Sequence, residues 1–318
     1  MSAIDDLASR FDADRRHLRS VAFHLLGSTA DADDAVQSAW LKASNADLDA
    51  VENLTGWFTT ITAREALDQL RARKRRAEQP LADASEWERI APTAAAPADE
   101  DVVLADAVSR ALLVVLDRLS PAQRAAFVLH DLFGVPFEAV GEVLDRSPGA
   151  AKKLASRARQ LLNATPSAEP RRTREHLQIV EAFLAASRGG DIPTLLQLLA
   201  PDVVRRVDRI LVPDDVPTDI RGAQHVAEET RRFAQRAEAG VVLLIDGVPG
   251  IAIAPAAQLQ ALLRIGIGDD RRIHTIDIVG DPERLRTAEL AIPAGALRNI
   301  TVASATNDTV PTSVRHGR

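Results

Sequence analysis

Five cationic side chains fall within six residues, Arg71-Ala72-Arg73-Lys74-Arg75-Arg76, a charge density suited to a polyanion. A second basic stretch, Lys152-Lys153-Leu154-Ala155-Ser156-Arg157-Ala158-Arg159, follows about eighty residues later, after what reads as a helix-turn-helix. The formal net charge of the whole chain is −6, so these positive surfaces are local features. Two of them on two small helical units point to a chain that touches a polyanion twice, with DNA the obvious candidate. Other chemistry has less support. Cysteine is absent, which excludes disulfides, a thiol nucleophile and Cys-ligated zinc. The seven histidines are dispersed and none forms a ligand pair at i,i+4, so no metal site is expected. Asp208, Asp246, His225, His274 and Asp277 are available as general bases, but tyrosine, a common oxyanion donor, is absent. His274 alternates with inward-reading Ile276 and Ile278, and a lone histidine on an apolar strand face is more often structural.

The elements that must position these residues are legible from periodicity. Leu18, Val21, Ala22, Leu25 and Leu26 recur on one helical face. Ala32, Ala35, Val36, Ala39 and Ala43 repeat the pattern, with Asp31, Asp33 and Asp34 in the first turn, where the helix dipole favours them. A third helix, about 55 to 76, sets Ala63, Ala66, Leu67 and Leu70 against Arg64, Asp68, Arg71 and Arg75. Periodicity then fails in a Pro/Ala-rich acidic stretch that reads as a flexible linker.

A second helical unit carries the stripe Leu112, Val115, Leu116, Leu119. Ser120-Pro121-Ala122-Gln123 is a sharp helix start, with Ser as cap, Pro at the first position and Gln three residues on. Ser147 caps the final helix, whose buried face is Ala151, Leu154, Ala155, Ala158 and Leu162. Lys152, Lys153, Ser156 and Arg157 project from its other side, where a helix-turn-helix enters the major groove. Beyond a second linker, helices at about 174–187, 191–199 and 222–237 precede β-rich runs at 241–245, 251–254, 259–267 and 273–279. Asp246-Gly247 and Gly268-Asp269-Asp270 suit hairpin turns, so an α+β domain with an antiparallel sheet is expected. The organisation reads as 1–78, linker 79–103, 104–163, linker 164–173, 174–288, and an irregular tail 289–318. The N-terminus has no signal-peptide pattern and no stretch reaches the ~20 apolar residues of a membrane span. A cytoplasmic protein without membrane attachment is the expectation.

Several motifs together resemble the extracytoplasmic-function sigma factors of RNA polymerase. Asp31 to Trp40 is similar to the polymerase-binding segment of region 2, and Leu54-Thr55-Gly56-Trp57-Phe58 to the start of its promoter-melting helix. Leu119-Ser120-Pro121-Ala122-Gln123-Arg124, Asp131-Leu132-Phe133-Gly134 and Ser147-Pro148-Gly149-Ala150 match region 4. The third part resembles SnoaL-like domains of the nuclear-transport-factor-2-like fold, a curved-sheet cone. Arg221-Gly222-Ala223 and Gly280-Asp281-Pro282-Glu283-Arg284-Leu285 carry that likeness, the latter similar to the Asn-Pro-Asp-Lys-Leu motif of sigma factors with such an extension. Two features depart from that group: Asp208 is followed by Arg209-Ile210-Leu211-Val212 instead of a glycine-rich loop, and Trp87 stands in Ser85-Glu86-Trp87-Glu88-Arg89 instead of a Trp-Leu-Pro signature.

The resemblance implies two all-α units followed by an α+β cone, and a non-enzymatic alternative sigma factor with no cofactor. Its partners would be core RNA polymerase, through the β and β′ subunits, and promoter DNA. Asp31, Asp33, Asp34, Gln37 and Trp40 would bind polymerase. Trp57, Arg64, Asp68, Arg71, Arg73, Lys74, Arg75 and Arg76 would melt and read the −10 element; Trp57 equally suits core packing. Arg146, Ser147, Lys152, Lys153, Ser156 and Arg157 would read the −35 element. Asp208 and Asp281, Pro282, Glu283, Arg284 and Leu285 would make the regulatory contact. Two rival readings use the same residues: an operator-binding regulator with a small-ligand pocket, and a SnoaL-like isomerase or cyclase with a DNA-binding appendage. The sequence names no ligand for the pocket.

Overall fold

The computed structural model describes residues 3–46, 51, 53–77, 107–163, 169–214 and 217–293. The stretch read as the first linker, and the tail beyond residue 293, lie outside the described residues. The helices run in chain order as α1 (Ala3–Leu26), α2 (Thr29–Ala43), α3 (Leu54–Ala77), α4 (Ala107–Leu116), α5 (Pro121–Phe127), α6 (Phe137–Leu144), α7 (Pro148–Leu162), α8 (Pro170–Gly189), α9 (Ile192–Leu198), α10 (Ala223–Arg232), α11 (Ala234–Glu238) and α12 (Pro282–Thr287). Strands β1 (Leu199–Val207), β2 (Asp219–Arg221), β3 (Gly240–Ile245), β4 (Val248–Ile253), β5 (Ala261–Ile267), β6 (Ile273–Val279) and β7 (Leu290–Ala291) form one sheet. Packing divides the chain into two compact units: α1–α3 with α5–α7, and α4 with everything from Leu161 to Ala294.

In the first unit, α1, α2 and α3 close around Phe11, Leu18, Leu25, Phe58 and Leu67, each no more than 2 % exposed. Burying one such side chain contributes roughly 1.5–3 kcal/mol. Phe11 sits between two rings, 5.2 Å from Trp40 and edge-on at 5.0 Å from Phe58. Ser28 starts α2 by accepting from the Asp31 amide at 3.3 Å. The expected capping box at Ser120 is complete, with Gln123 N to Ser120 Oγ and Ser120 N to Gln123 Oε1. A π-helical turn, Val128–Leu132, then carries the chain towards α6.

α5 and this turn pack directly on α1. Arg124, 3 % exposed, donates from Nε to the His24 carbonyl at 3.1 Å. The Phe133 ring stands edge-on to both His17 and His24, at 5.5 and 5.6 Å. The His24 ring, hydrogen-bonded through Nδ1 to the Ser20 carbonyl at 2.9 Å, is buried. That burial pushes its pKa down, and the neighbouring Arg124 charge adds to the effect.

The second unit is a mixed sheet of order β2-β1-β6-β5-β4-β3-β7. Its pairs are antiparallel, as expected, except β1 with β6, which run parallel. Between them the chain passes through α10, α11 and the four strands β2 to β5, the kind of long crossover a parallel pair requires. β3 to β6 fall where the alternation placed them, and Asp246-Gly247 turns with φ of 52° and 79°, the left-handed pair of a tight hairpin. α8 begins at Pro170, in the stretch read as the second linker, because proline suits the first helical position. β7 lies in the stretch read as an irregular tail.

α8, α9 and α10 cover the sheet through a cluster including Val180, Phe183, Leu195, Val203, Val226, Ile251, Ile265 and Ile276. Within this unit Arg205, 4 % exposed, pairs with Glu229 at 2.9 Å.

Two outcomes are expected for stability. Arg205→Met leaves the Glu229 carboxylate partly buried without its partner and costs about 3–5 kcal/mol, whereas adding Glu229→Leu to it recovers most of that loss; denaturant unfolding of the full chain measures both. For His24, the folded state disfavours protonation. Its contribution is therefore whole above the ordinary histidine pKa of about 6.5 and declines as pH falls below it. Between about pH 8 and about pH 5.5 the wild type loses more stability than His24→Met. Equal losses in the two proteins would show that His24 does not titrate against folding.

Candidate nucleic-acid interface

α2 is amphipathic: Ala32, Ala35, Val36, Ala39 and Ala43 are buried, while Asp33, Asp34 and Gln37 are exposed and Asp31 and Trp40 are half-buried. The acidic residues are already partly engaged. Asp33 pairs with Arg19 at 2.8 Å, and Asp31 forms an ion pair with Arg73. Leu41, 58 % exposed, extends the Gln37 side of the helix by one turn. In the sequence its apolar character merges with the buried stripe.

α3 places Ala63, Ala66 and Leu67 in the core and Arg64 and Asp68 in solvent. Trp57 is half-buried, its ring centroid 5.7 Å from that of Phe58, so it is partly core and partly available for stacking. The cationic side chains sort into two groups. Arg64 donates to the Glu142 carbonyl of α6 at 2.9 Å, Arg71 pairs with Asp68 at 3.2 Å, and Arg73 donates to the Leu26 carbonyl at 3.0 Å. Lys74 and Arg75, by contrast, are exposed at the end of the helix. The side chain of Arg76 lies outside the described residues.

The helix-turn-helix is built by α6 and α7. Asp145 adopts the left-handed conformation that ends α6, φ 56°, and Ser147 Oγ accepts from the Ala150 amide at 3.3 Å to start α7. The turn passes so close to α6 that a Cβ on Gly141 would lie 2.7 Å from the Arg146 carbonyl oxygen. A side chain there would push the two helices apart. Ala151, Ala155, Ala158 and Leu162 are fully buried. Lys152, Lys153 and Arg157 are exposed on the other side with Ser156 half-buried beside them, and Arg146 and Ser147 are exposed in the turn. Arg159 pins α7 to the π-helical turn through Asp131 at 2.8 Å. Burial raises the pKa of that carboxyl, which Arg159 opposes.

In the second unit, Asp208 meets the motif that follows β6, although more than seventy residues separate them. Its Oδ2 accepts from the Gly280 and Asp281 amides at 2.9 and 3.1 Å, and Oδ1 from Arg284 Nη1 at 2.8 Å. Asp281 caps α12 by accepting from the Arg284 amide at 2.9 Å; Leu285 is buried, and Pro282 and Glu283 are exposed. Asp277 lines the same cavity as Asp208, with Arg206, Arg264 and Arg284, whereas His274 and His225 lie outside that lining. His274 points outward, 42 % exposed, and bonds Asp270 at 3.0 Å; strand twist and the bulge near Gly266 carry it off the inner face. Asp246 binds Arg264, Asp277 binds Arg206, and His225 is exposed on α10.

Comparison with known proteins identifies both helical segments. Sigma-70 region 2 matches residues 11–76, and Sigma-70 region 4 matches residues 109–162. The chain is 39 % identical over 237 residues to ECF RNA polymerase sigma factor SigJ of Mycobacterium tuberculosis, covering 72 % of this chain and 73 % of that one. It is 32 % identical over 263 residues to the probable ECF RNA polymerase sigma factor SigI of the same organism, covering 77 % and 90 %. The crystal structure of Mycobacterium tuberculosis SigJ aligns at 30 % identity and a TM-score of 0.41, over 87 % of this chain and 98 % of that one. With both regions in order and these relatives matched over most of their length, the chain belongs to the extracytoplasmic-function RNA polymerase sigma factors, alternative sigma factors that act in transcription initiation.

Proposed function

We propose that the exposed face of α2 (Asp33, Asp34 and Gln37, flanked by Asp31 and Trp40) binds the β and β′ subunits of core RNA polymerase. α3 then engages the −10 element through Trp57, Arg64, Asp68 and the basic run Arg71, Arg73, Lys74, Arg75 and Arg76. An aromatic stacked on an unpaired base contributes ~1–3 kcal/mol, and the cations follow the phosphates. α7 reads the −35 element from the major groove through Lys152, Lys153, Ser156 and Arg157, with Arg146 and Ser147 at the turn. The work is cytoplasmic, where polymerase and promoter meet.

The observation that carries this reading is the separation of faces on α7 and α3. Small apolar residues are buried on one side, and a cationic set of matched order stands on the other. Arg64 is exposed and gives a single Nη2 bond to the Glu142 carbonyl, so its five-donor guanidinium can contact a DNA strand as well.

The SnoaL-like domain regulates and does not catalyse. Its interior is occupied by the apolar cluster and the Arg205–Glu229 pair, and the carboxylates Asp208 and Asp277, which line one cavity, are each engaged by an arginine, Arg284 and Arg206. Asp208 and the Asp281–Leu285 motif, brought together, are the regulatory element.

Two measurements check this. Promoter DNA is bound tightly only with core polymerase present; a specific footprint by the isolated protein at nanomolar concentration and physiological salt would favour an operator-binding regulator. Arg157→Ala costs ~1–3 kcal/mol on the preferred −35 sequence and relaxes preference there, whereas Lys74→Ala weakens all promoters alike and lowers the salt slope. Equal loss on every −35 variant for both substitutions would remove sequence reading from Arg157.

A further inference from the structure

All but the first two residues of α4 fall in the segment that matches Sigma-70 region 4, yet the helix packs as part of the unit that contains the sheet. The six consecutive residues Ala111 to Leu116 are each no more than 5 % exposed. A helix apolar all round must be covered all round, and strand β3 together with the turn Pro255–Ala257 supplies part of that cover. Both ends of the segment are also held by charge-assisted bonds. Arg110 Nη1 donates to the Glu238 carbonyl at the end of α11, 3.1 Å away. Arg118, just beyond α4, donates from Nη2 to the Leu285 carbonyl at 2.6 Å and from Nη1 to the Arg286 carbonyl at 3.1 Å.

These acceptors are not arbitrary. The last carbonyls of a helix have no partner within it, so the ends of α11 and α12 present unsatisfied oxygens that a guanidinium fork can fill. Leu285 closes the motif whose first turn is held by Asp208. One short helix therefore carries Asp208 contacts at its start and Arg118 contacts at its end. From Arg118 the chain runs straight through Leu119 into Ser120, the cap of α5.

We propose that the C-terminal domain acts on region 4 by holding α4. The surface formed by β3, residues 255–257 and the carbonyl ends of α11 and α12 is a docking site whose occupant is this chain's own residues 107–118. α4, so held, is the leading helix of the region that continues into α5–α7. This inference rests on the reading that the domain is regulatory, and it names the element through which regulation passes. It also means that deleting the C-terminal domain strips α4 of its cover, so such a deletion perturbs region 4 directly.

Hydrogen exchange and run-off transcription on the full-length protein test the idea together. Arg118→Ala removes two hydrogen bonds from a charged donor, so amides in 107–118 and 282–287 should exchange about ten- to a hundredfold faster while those of α1–α3 stay unchanged. Arg118→Lys, a single point donor, should fall between. Transcription by holoenzyme reconstituted with Arg118→Ala, on a promoter the wild type uses, should change at equal protein abundance. Unchanged exchange in 107–118 would overturn the clamp. Faster exchange with unaltered transcription would overturn α4 as the route. Asp208→Asn, which loosens the motif after β6 and has no contact with α4 except through the helix that Arg118 grips, separates the two levels. If it alters transcription where Arg118→Ala does not, only this inference fails; if neither alters it, the regulatory reading fails with it.

Discussion

A guanidinium keeps its proton at any ordinary pH, so once it leaves water it must be given acceptors or it destabilises the fold. This chain uses such arginines to join distant parts of itself. Arg124 is buried against the His24 carbonyl, one hundred residues away in sequence. Arg205 is buried against Glu229. Arg118 reaches the carbonyl of Leu285 across 167 residues. In two of the three the acceptor is main-chain oxygen, which is there whatever the side chain. Geometry, not a matching carboxylate, selects the contact.

The same demand divides the cations between structure and function. Arg64 and Arg73, on the helix expected to meet the −10 element, are engaged within the first unit. Lys74, Arg75, Lys152, Lys153 and Arg157 stand in solvent, where their interaction with phosphate is long-ranged and screened by salt. A guanidinium carries five N–H donors, so an arginine bonded to one carbonyl can bond a further acceptor at the same time.

In the C-terminal domain, the departures from the related group have structural consequences. Where a glycine-rich loop was absent from the sequence, Arg209–Leu211 makes a tight turn. It leaves Asp208 free to accept two amides and a guanidinium from the opposite end of the domain. A carboxylate with three donors is a fixed point, and the motif after β6 is organised around it. Asp208 thereby ties the end of β1 to the start of α12.

Local order was largely present in the sequence. The three-helix pattern of residues 10–76, the box at Ser120, the alternation of β3 to β6 and the exposed set on α7 each follow from interactions within a few residues, which periodicity and capping express directly. β1 was not legible. Its bulge between Leu199 and Val204 breaks the alternation, and Arg205 faces inward where the pattern asks for an apolar residue. Nor did the residues reveal that β1 and β6 run parallel, that Arg124 is buried, that Asp208 meets Asp281, or that α4 packs with the sheet. Each of these depends on a partner far away in the chain. An arginine reads the same in sequence whether it ends in water, on a phosphate or on a buried carbonyl. Only the tertiary arrangement of acceptors decides between them.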